Sequence, residues 1–227
     1  MDKRPSAVAG PTQVLSAGRA CRFCGASLTR SFADLGLTPL ANSYVRVDAA
    51  DRGETFLPLH AFVCGTCFLV QIGESQSPQA IFEDYAYFSS FSDSWLAHAK
   101  RYSETVVERL RLGPKSLVIE LASNDGYLLR NFKELGIPCL GVEPAKNVAK
   151  AAVAKGIPTV SEFFGTALAR RLVSESGRAD LLLGNNVLAH VPALNDFVAG
   201  MKLLLAPGGT ITMEFPPLIA LAEICRR

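Results

Sequence analysis

No apolar run in this 227-residue chain approaches the roughly 20 residues needed to cross a bilayer, so no membrane partner is expected. Charge of either sign is scarce in excess: 23 Lys and Arg stand against 21 Asp and Glu, a net +2, with no basic tract. A protein held on DNA by phosphate contacts needs such a tract, so nucleic acid is not an expected partner either. The first 20 residues are rich in Pro, Gly, Ser and Ala but contain no apolar h-region. They read as a disordered leader over 1–20, not a signal peptide. The expected setting is therefore cytoplasmic and reducing, and the six cysteines are not read first as disulfides. The chain also lacks a Gly-x-Gly-x-x-Gly fingerprint, which weakens a nicotinamide dehydrogenase reading.

What is present is enough apolar residue, 49% of the chain, to build a proper core. Two knuckles of identical spacing come first. Cys21-Arg-Phe-Cys24-Gly25 and Cys64-Gly65-Thr-Cys67 are separated by 39 residues. Two thiolates from each would complete a tetrahedral Cys₄ zinc site, with Gly permitting the tight turns. A redox pair or four buried thiols would explain one knuckle; two of the same spacing favour zinc. The four ligands leave no position for water, so the metal is expected to be structural. His60 lies nearby but reads as a strand residue. The expected zinc-binding β module covers 21–75, with strands over 56–63 and 68–72 flanking the second knuckle.

Residues 76–113 form an aromatic-rich linker. Three Tyr, three Phe and the only Trp fall between Pro78 and Tyr102, mixed with Ser and Asp. That composition suits a substrate lid or channel wall. An amphipathic helix packing its aromatics on the next domain is the plainer explanation. A helix is expected over 95–112, ending at Gly113-Pro114.

From residue 114 the chain alternates strand and helix. Strands are expected at 116–121, 139–143, 159–160, 180–186 and 209–214, with helices over 127–133, 145–155, to about 174 and over 193–205. The last helix is expected to close at the Ala206-Pro-Gly-Gly209 run. This is an α/β pattern with a parallel sheet, and its ligands sit beyond the carboxyl ends of the strands. The first strand, turn and helix resemble the opening of a nucleotide-binding unit: Glu120, then Ser123, Asn124, Asp125 and Gly126. Glu143 follows Glu120 by 23 residues, where such folds place a carboxylate on a ribose diol. Four loops, at 123–126, Glu143, Glu162/Phe163 and 185–190, are expected to meet over one cleft.

With Glu120–Gly126, Glu143-Pro144, the Asn185-Asn-Val-Leu-Ala-His190 stretch and Leu205-Ala-Pro-Gly-Gly209 in view, the chain resembles the class I S-adenosylmethionine-dependent methyltransferases. The two Cys-x-x-Cys knuckles and the Tyr85-Ala-Tyr87-Phe-Ser-Ser segment narrow this. They resemble the sugar C-methyltransferases of deoxysugar biosynthesis, which act at C3 of a nucleotide-linked 4-keto-6-deoxysugar. The resemblance covers about Cys21 to Glu223. It implies a Rossmann-like methyltransferase core over 114–227, S-adenosylmethionine as cofactor and a structural zinc. It implies a core incomplete at its C-terminus, since the family continues beyond Arg227 with two more strands and a Tyr/His pair. Ala122 also departs from the family, which usually has Gly there.

Cofactor contacts are expected from Glu120, Ser123, Asn124, Asp125, Gly126, Glu143, Pro144, Phe163, Asn185 and Asn186. Plain core packing competes for Phe163 and Phe164, and turn capping for the two Asn. C-methylation needs a base beside a ketone and a donor for the enolate oxygen. His190 is the histidine expected in the cleft, and Tyr85 or Tyr87 could reach over the sugar. An O- or N-methyltransferase on a small metabolite, or a non-catalytic zinc and methyltransferase-fold binding module, would share most of these features.

Overall fold

A computed structural model describes residues 19–73, 76–82, 85–216 and 218. All but the last two residues of the expected leader, and the segment beyond 218, lie outside the described residues. Of the described residues, those up to Thr38 together with Pro58–Gly73 form one compact unit. Pro39–Leu57 and the residues after Gly73 form another.

The first unit contains most of a three-stranded sheet in the order β1-β2-β3, with β1 at Arg30–Pro39, β2 at Phe56–Val63 and β3 at Val70–Ile72. β2 and β3 are antiparallel, with Phe62 opposite Gln71 and Val63 opposite Val70. The Cys64–Cys67 knuckle is the turn between them, closed by backbone bonds from Cys64 N–H to Leu69 O and from Phe68 N–H to Cys64 O. Phe68 takes a left-handed conformation, φ 61°, so the strand starts two residues later than periodicity predicts.

In the second unit, a short helix α1 (Pro78–Phe82) and a single 3₁₀ turn (Ser89–Phe91) lead to α2 (Asp93–Leu110). Ser92 caps α2: its Oγ accepts the Trp95 N–H at 3.3 Å. The helix begins two residues before the expected start because this cap, invisible to apolar periodicity, sets it. Arg111, φ 53°, ends it.

Five parallel strands then form one sheet: β4 (Val118–Leu121), β5 (Cys139–Val142), β6 (Thr159–Val160), β7 (Ala179–Asn185) and β8 (Leu205–Glu214). The intervening helices are α3 (Leu129–Glu134), α4 (Lys146–Ala154), α5 (Thr166–Ser176) and α6 (Leu194–Leu204). The sheet order β6-β5-β4-β7-β8 places the first parallel strand, β4, in the centre. This is the doubly wound order, whose reversal at β4 and β7 opens a crevice at the carboxyl ends.

Alternation along the strands divides the core. Val118, Leu181 and Leu183 face α2 and α3, with Tyr127, Leu129 and Phe132. Ile119, Leu121 and Leu182 face α5 and α6, with Leu168, Leu172, Phe197 and Met201. Glu120 alternates onto the first of these faces and is fully buried.

One expectation fails at Leu205–Gly209. The Ala-Pro-Gly-Gly run does not form a loop after the helix but the start of β8, with Leu205 opposite Ala179 and a register shift before Thr210 pairs with Leu181. A Pro on an outer strand and an irregularity at its entry are both compatible with strand geometry, which composition alone does not disclose. No helix among the described residues is long and apolar enough to cross a membrane.

Candidate active site and metal centre

The turn after β4 is made by residues in left-handed conformations: Ala122 at φ 55°, Asn124 at φ 50° and Gly126 at φ 76°. Gly126 is required for space as well, since a Cβ there would lie 2.8 Å from the Ile157 side chain. Ala122 occupies a left-handed conformation that favours glycine.

The turn and the end of β5 form one wall. Glu143 is 5% exposed, and its two carboxylate oxygens accept the backbone N–H groups of Asn124 and Ala145, each at 2.9 Å. Burial raises the Glu143 carboxyl above its usual range, and the Ala145 and Asn124 N–H groups offset part of the rise. A carboxylate offers about four lone-pair sites, so two remain for a ligand.

The side chain of Asn124 faces the other way. Its Oδ1 accepts the Ser89 N–H at 2.8 Å, and its Nδ2 donates to the Tyr87 carbonyl at 3.1 Å. Asn147, on the first turn of α4, holds Tyr85 in the same double manner, at 3.1 and 2.8 Å. Asp125 is fully buried, with one oxygen bound to Lys155 Nζ at 2.7 Å and to the Ser90 hydroxyl. The 85–90 segment is thus strapped over the carboxyl ends of β4 and β5 at three residues of the cleft. Tyr85 is half-buried, while Tyr87 is 53% exposed. Burial first, then the Glu143 charge, raise the Tyr85 phenol.

Four buried oxygens at this wall have no partner among the described residues: both of Glu120, Ser123 Oγ and Asp125 Oδ1. Burial, followed by the charges of Glu143 and Asp125, raises the Glu120 carboxyl well above its usual range. Orphaned buried acceptors cost about 1–3 kcal/mol each, so this cluster suits a ligand bearing N–H and O–H donors and positive charge.

On the other side of the crevice, Asn185 ends β7 and its Nδ2 donates to the Tyr127 hydroxyl at 3.3 Å, joining the β7 and β4 loops. Asn186 serves the turn: it is left-handed, φ 51°, and its N–H bonds the Glu214 carbonyl at 2.6 Å. His190 is exposed on a single 3₁₀ turn, Leu188–His190. Pro144 is half-buried just before α4. Phe164 packs edge-on against Phe197 at 5.2 Å, while Phe163 is 43% exposed. Core packing therefore takes Phe164 and leaves Phe163 at the surface beyond β6. Lys155, Asn147 and Tyr127 carry no local sequence signal as site residues, and Ser90 is read only as part of the Tyr85-Ala-Tyr87-Phe-Ser-Ser segment. Lys155 lies 30 residues from Asp125 and no local pattern connects them.

In the smaller unit, Cys21, Cys24, Cys64 and Cys67 bring their sulfurs within 4.8 Å of one another. Cys21 Sγ lies 3.6 Å from Cys67 Sγ, and Cys24 Sγ lies 3.5 Å from Cys64 Sγ. A tetrahedron with Zn–S bonds of about 2.3 Å has edges of about 3.8 Å, so the donor set fits this ion. The Cys67 and Thr66 N–H groups lower the Cys64 thiol below its ordinary value, outweighing burial. Burial works against ionising Cys21, but the Cys24 N–H, the Gln71 carboxamide and the Phe23 N–H outweigh it and bring the thiol to about 6.

Residues 21–82 match a family model described as "Putative zinc binding domain", and residues 119–213 match one described as "Methyltransferase domain". The C-methyltransferase NovU of Streptomyces niveus is 32% identical over 203 residues, which are 89% of this chain and 48% of that protein. The chain thus spans about half the length of this curated relative. Among solved structures, the PH0226 protein of Pyrococcus horikoshii OT3 superposes with a TM-score of 0.48 at 19% identity, over 61% of this chain and 62% of the other. Magnesium protoporphyrin IX methyltransferase from Synechocystis PCC 6803, with bound SAM, gives 0.41 at 17% identity, over 56% and 62%.

Proposed function

We propose, for a chain whose residues 119–213 match a methyltransferase domain model and whose residues 21–82 match a zinc binding domain model, an S-adenosylmethionine-dependent C-methyltransferase acting on a sugar. The observation that carries this reading is the bond from Asn124 N–H to Glu143, which makes the β4 turn and the β5 acid a single wall. Glu143 holds the ribose diol with the lone pairs its two backbone partners leave free. The orphaned oxygens of Glu120, Ser123 and Asp125 take the ammonium end. Gly126, Asn124 and Pro144 shape the backbone around the nucleoside, Phe163 flanks the adenine, and Asn185 and Asn186 border the methyl end. The cofactor supplies an electrophilic methyl group.

The acceptor in this reading is C3 of a nucleotide-linked 4-keto-deoxysugar. The similarity to a C-methyltransferase over 89% of the chain supports carbon as the acceptor. Removing the C3 proton gives an enolate, whose carbon takes the methyl. His190, Tyr85 and Tyr87 are this chain's own candidates to contact the sugar or move that proton. The zinc is structural, since four thiolates close its coordination.

The test is to supply a nucleotide-linked 4-keto-6-deoxysugar in D₂O. Without a methyl donor, the C3 hydrogen should exchange; with one, the product should carry a new methyl at C3. A methyl found on oxygen or nitrogen would replace this reading with an O- or N-methyltransferase. No exchange and no product would remove it.

A further inference from the structure

We propose that Gln71 is a positioning residue of the Cys₄ centre, holding the Cys21 thiolate in place and neutralising part of its charge. The inference rests on the zinc reading above and concerns a residue outside the two knuckles. Gln71 lies in the middle of β3, opposite Phe62, and is only 7% exposed. Both ends of its carboxamide are used. Oε1 accepts the Arg22 N–H at 3.0 Å, and Nε2 donates to Cys21 Sγ at 3.2 Å.

These two bonds determine each other. A backbone N–H can only donate, so the atom facing Arg22 must be the oxygen, and the amide nitrogen must face the sulfur. The orientation of the amide is therefore set by the first knuckle itself. Arg22 lies between the two cysteines of that knuckle, and its guanidinium also donates to the Ile72 carbonyl at 2.8 Å. Gln71 thus ties the first knuckle to the strand that leaves the second.

A Cys₄ zinc centre carries two net negative charges, and the buried Cys21 and Cys64 must disperse their share of it within the protein. N–H···S bonds do this. Cys64 receives them from the Thr66 and Cys67 N–H groups, at 3.4 and 3.5 Å, both from its own knuckle. Cys21, 3% exposed, also has its own knuckle's N–H groups, and Gln71 adds a side-chain donor from the far strand. Partners of this kind typically change metal affinity by about 10- to 100-fold when removed.

The experiment uses the full 227-residue chain loaded with Co²⁺ or Zn²⁺. Metal affinity is measured by chelator competition, and the sulfur-to-cobalt charge-transfer band by absorption. Gln71→Glu keeps the size and the acceptor for Arg22 but replaces the donor facing Cys21 with an oxygen. Gln71→Leu removes both polar ends. Both variants should lose zinc affinity by about tenfold or more, Gln71→Glu at least as much as Gln71→Leu, and the band should move to lower energy. Gln71→His, which can present an N–H, should recover part of both losses. If Gln71→Glu keeps wild-type affinity and band position, the proposal is overturned, whatever Gln71→Leu does, because packing alone would then explain the residue. Failure of the wild-type chain to bind either metal would overturn the zinc reading and this inference together.

Discussion

Ala122 stands in a left-handed conformation where a Cβ costs about 1–2 kcal/mol, so Ala122→Gly should be tolerated without loss of stability. A fall in melting temperature of several degrees would contradict this. Glu120 carries the opposite kind of strain. It is fully buried, its oxygens lack partners among the described residues, and its carboxyl is raised in the fold. A group whose folded pKa is raised contributes stability below its unfolded value of about 4.3, and that contribution is lost as pH rises through the folded value. Glu120→Gln removes the titration. It should therefore be more stable than wild type at pH 8, by about 1–3 kcal/mol, and melt higher, with the difference shrinking towards pH 4. Thermal melts from pH 4 to 8 check this, and equal melting temperatures throughout would refute it. At this scale the sequence was informative for Glu120, Asn124 and Glu143, because an acid ending an apolar strand and a small-residue turn are local patterns. It was silent on Lys155 and Asn147, whose partners are 30 and 62 residues away.

Among the elements, the strap over 85–90 is the least predictable from pattern. Its aromatic composition suggested a lid, yet the bonds that hold it to the cleft come from its backbone and Ser90, not from its rings. Asn124→Gly keeps the left-handed backbone but removes both bonds to the strap. Amide exchange at Ser89 should then speed up by about tenfold, the equivalent of one typical hydrogen bond. Unchanged exchange there would show the strap to be held elsewhere. The parallel strands were legible because buried strands of an α/β sheet read as short apolar runs. The start of β8 was not, because Pro207 and Gly208 signal a turn and the pairing with Ala179 is a tertiary effect. In the small sheet, elemental analysis should find about one zinc per chain. Stripping it with a chelator should unfold this unit first, since small cores depend on such staples.

For the whole molecule, the doubly wound strand order brings the β4 turn, the β5 acid and the β7 loop to one edge. Periodicity revealed the alternation and hence the edge. It did not reveal that Asn124 would serve Glu143 with its backbone and the strap with its side chain. That joint sets the pH behaviour of the site. Glu143 is raised by burial and binds a diol best when ionised, so cofactor affinity should climb as pH rises through its folded pKa and should not fall. The most direct measurement is calorimetric titration of S-adenosylmethionine into this chain and into its Glu143→Ala variant. The wild type should show saturable one-site binding, and the variant an affinity weaker by about 100-fold, roughly 3 kcal/mol. Equal affinity in the two would contradict this.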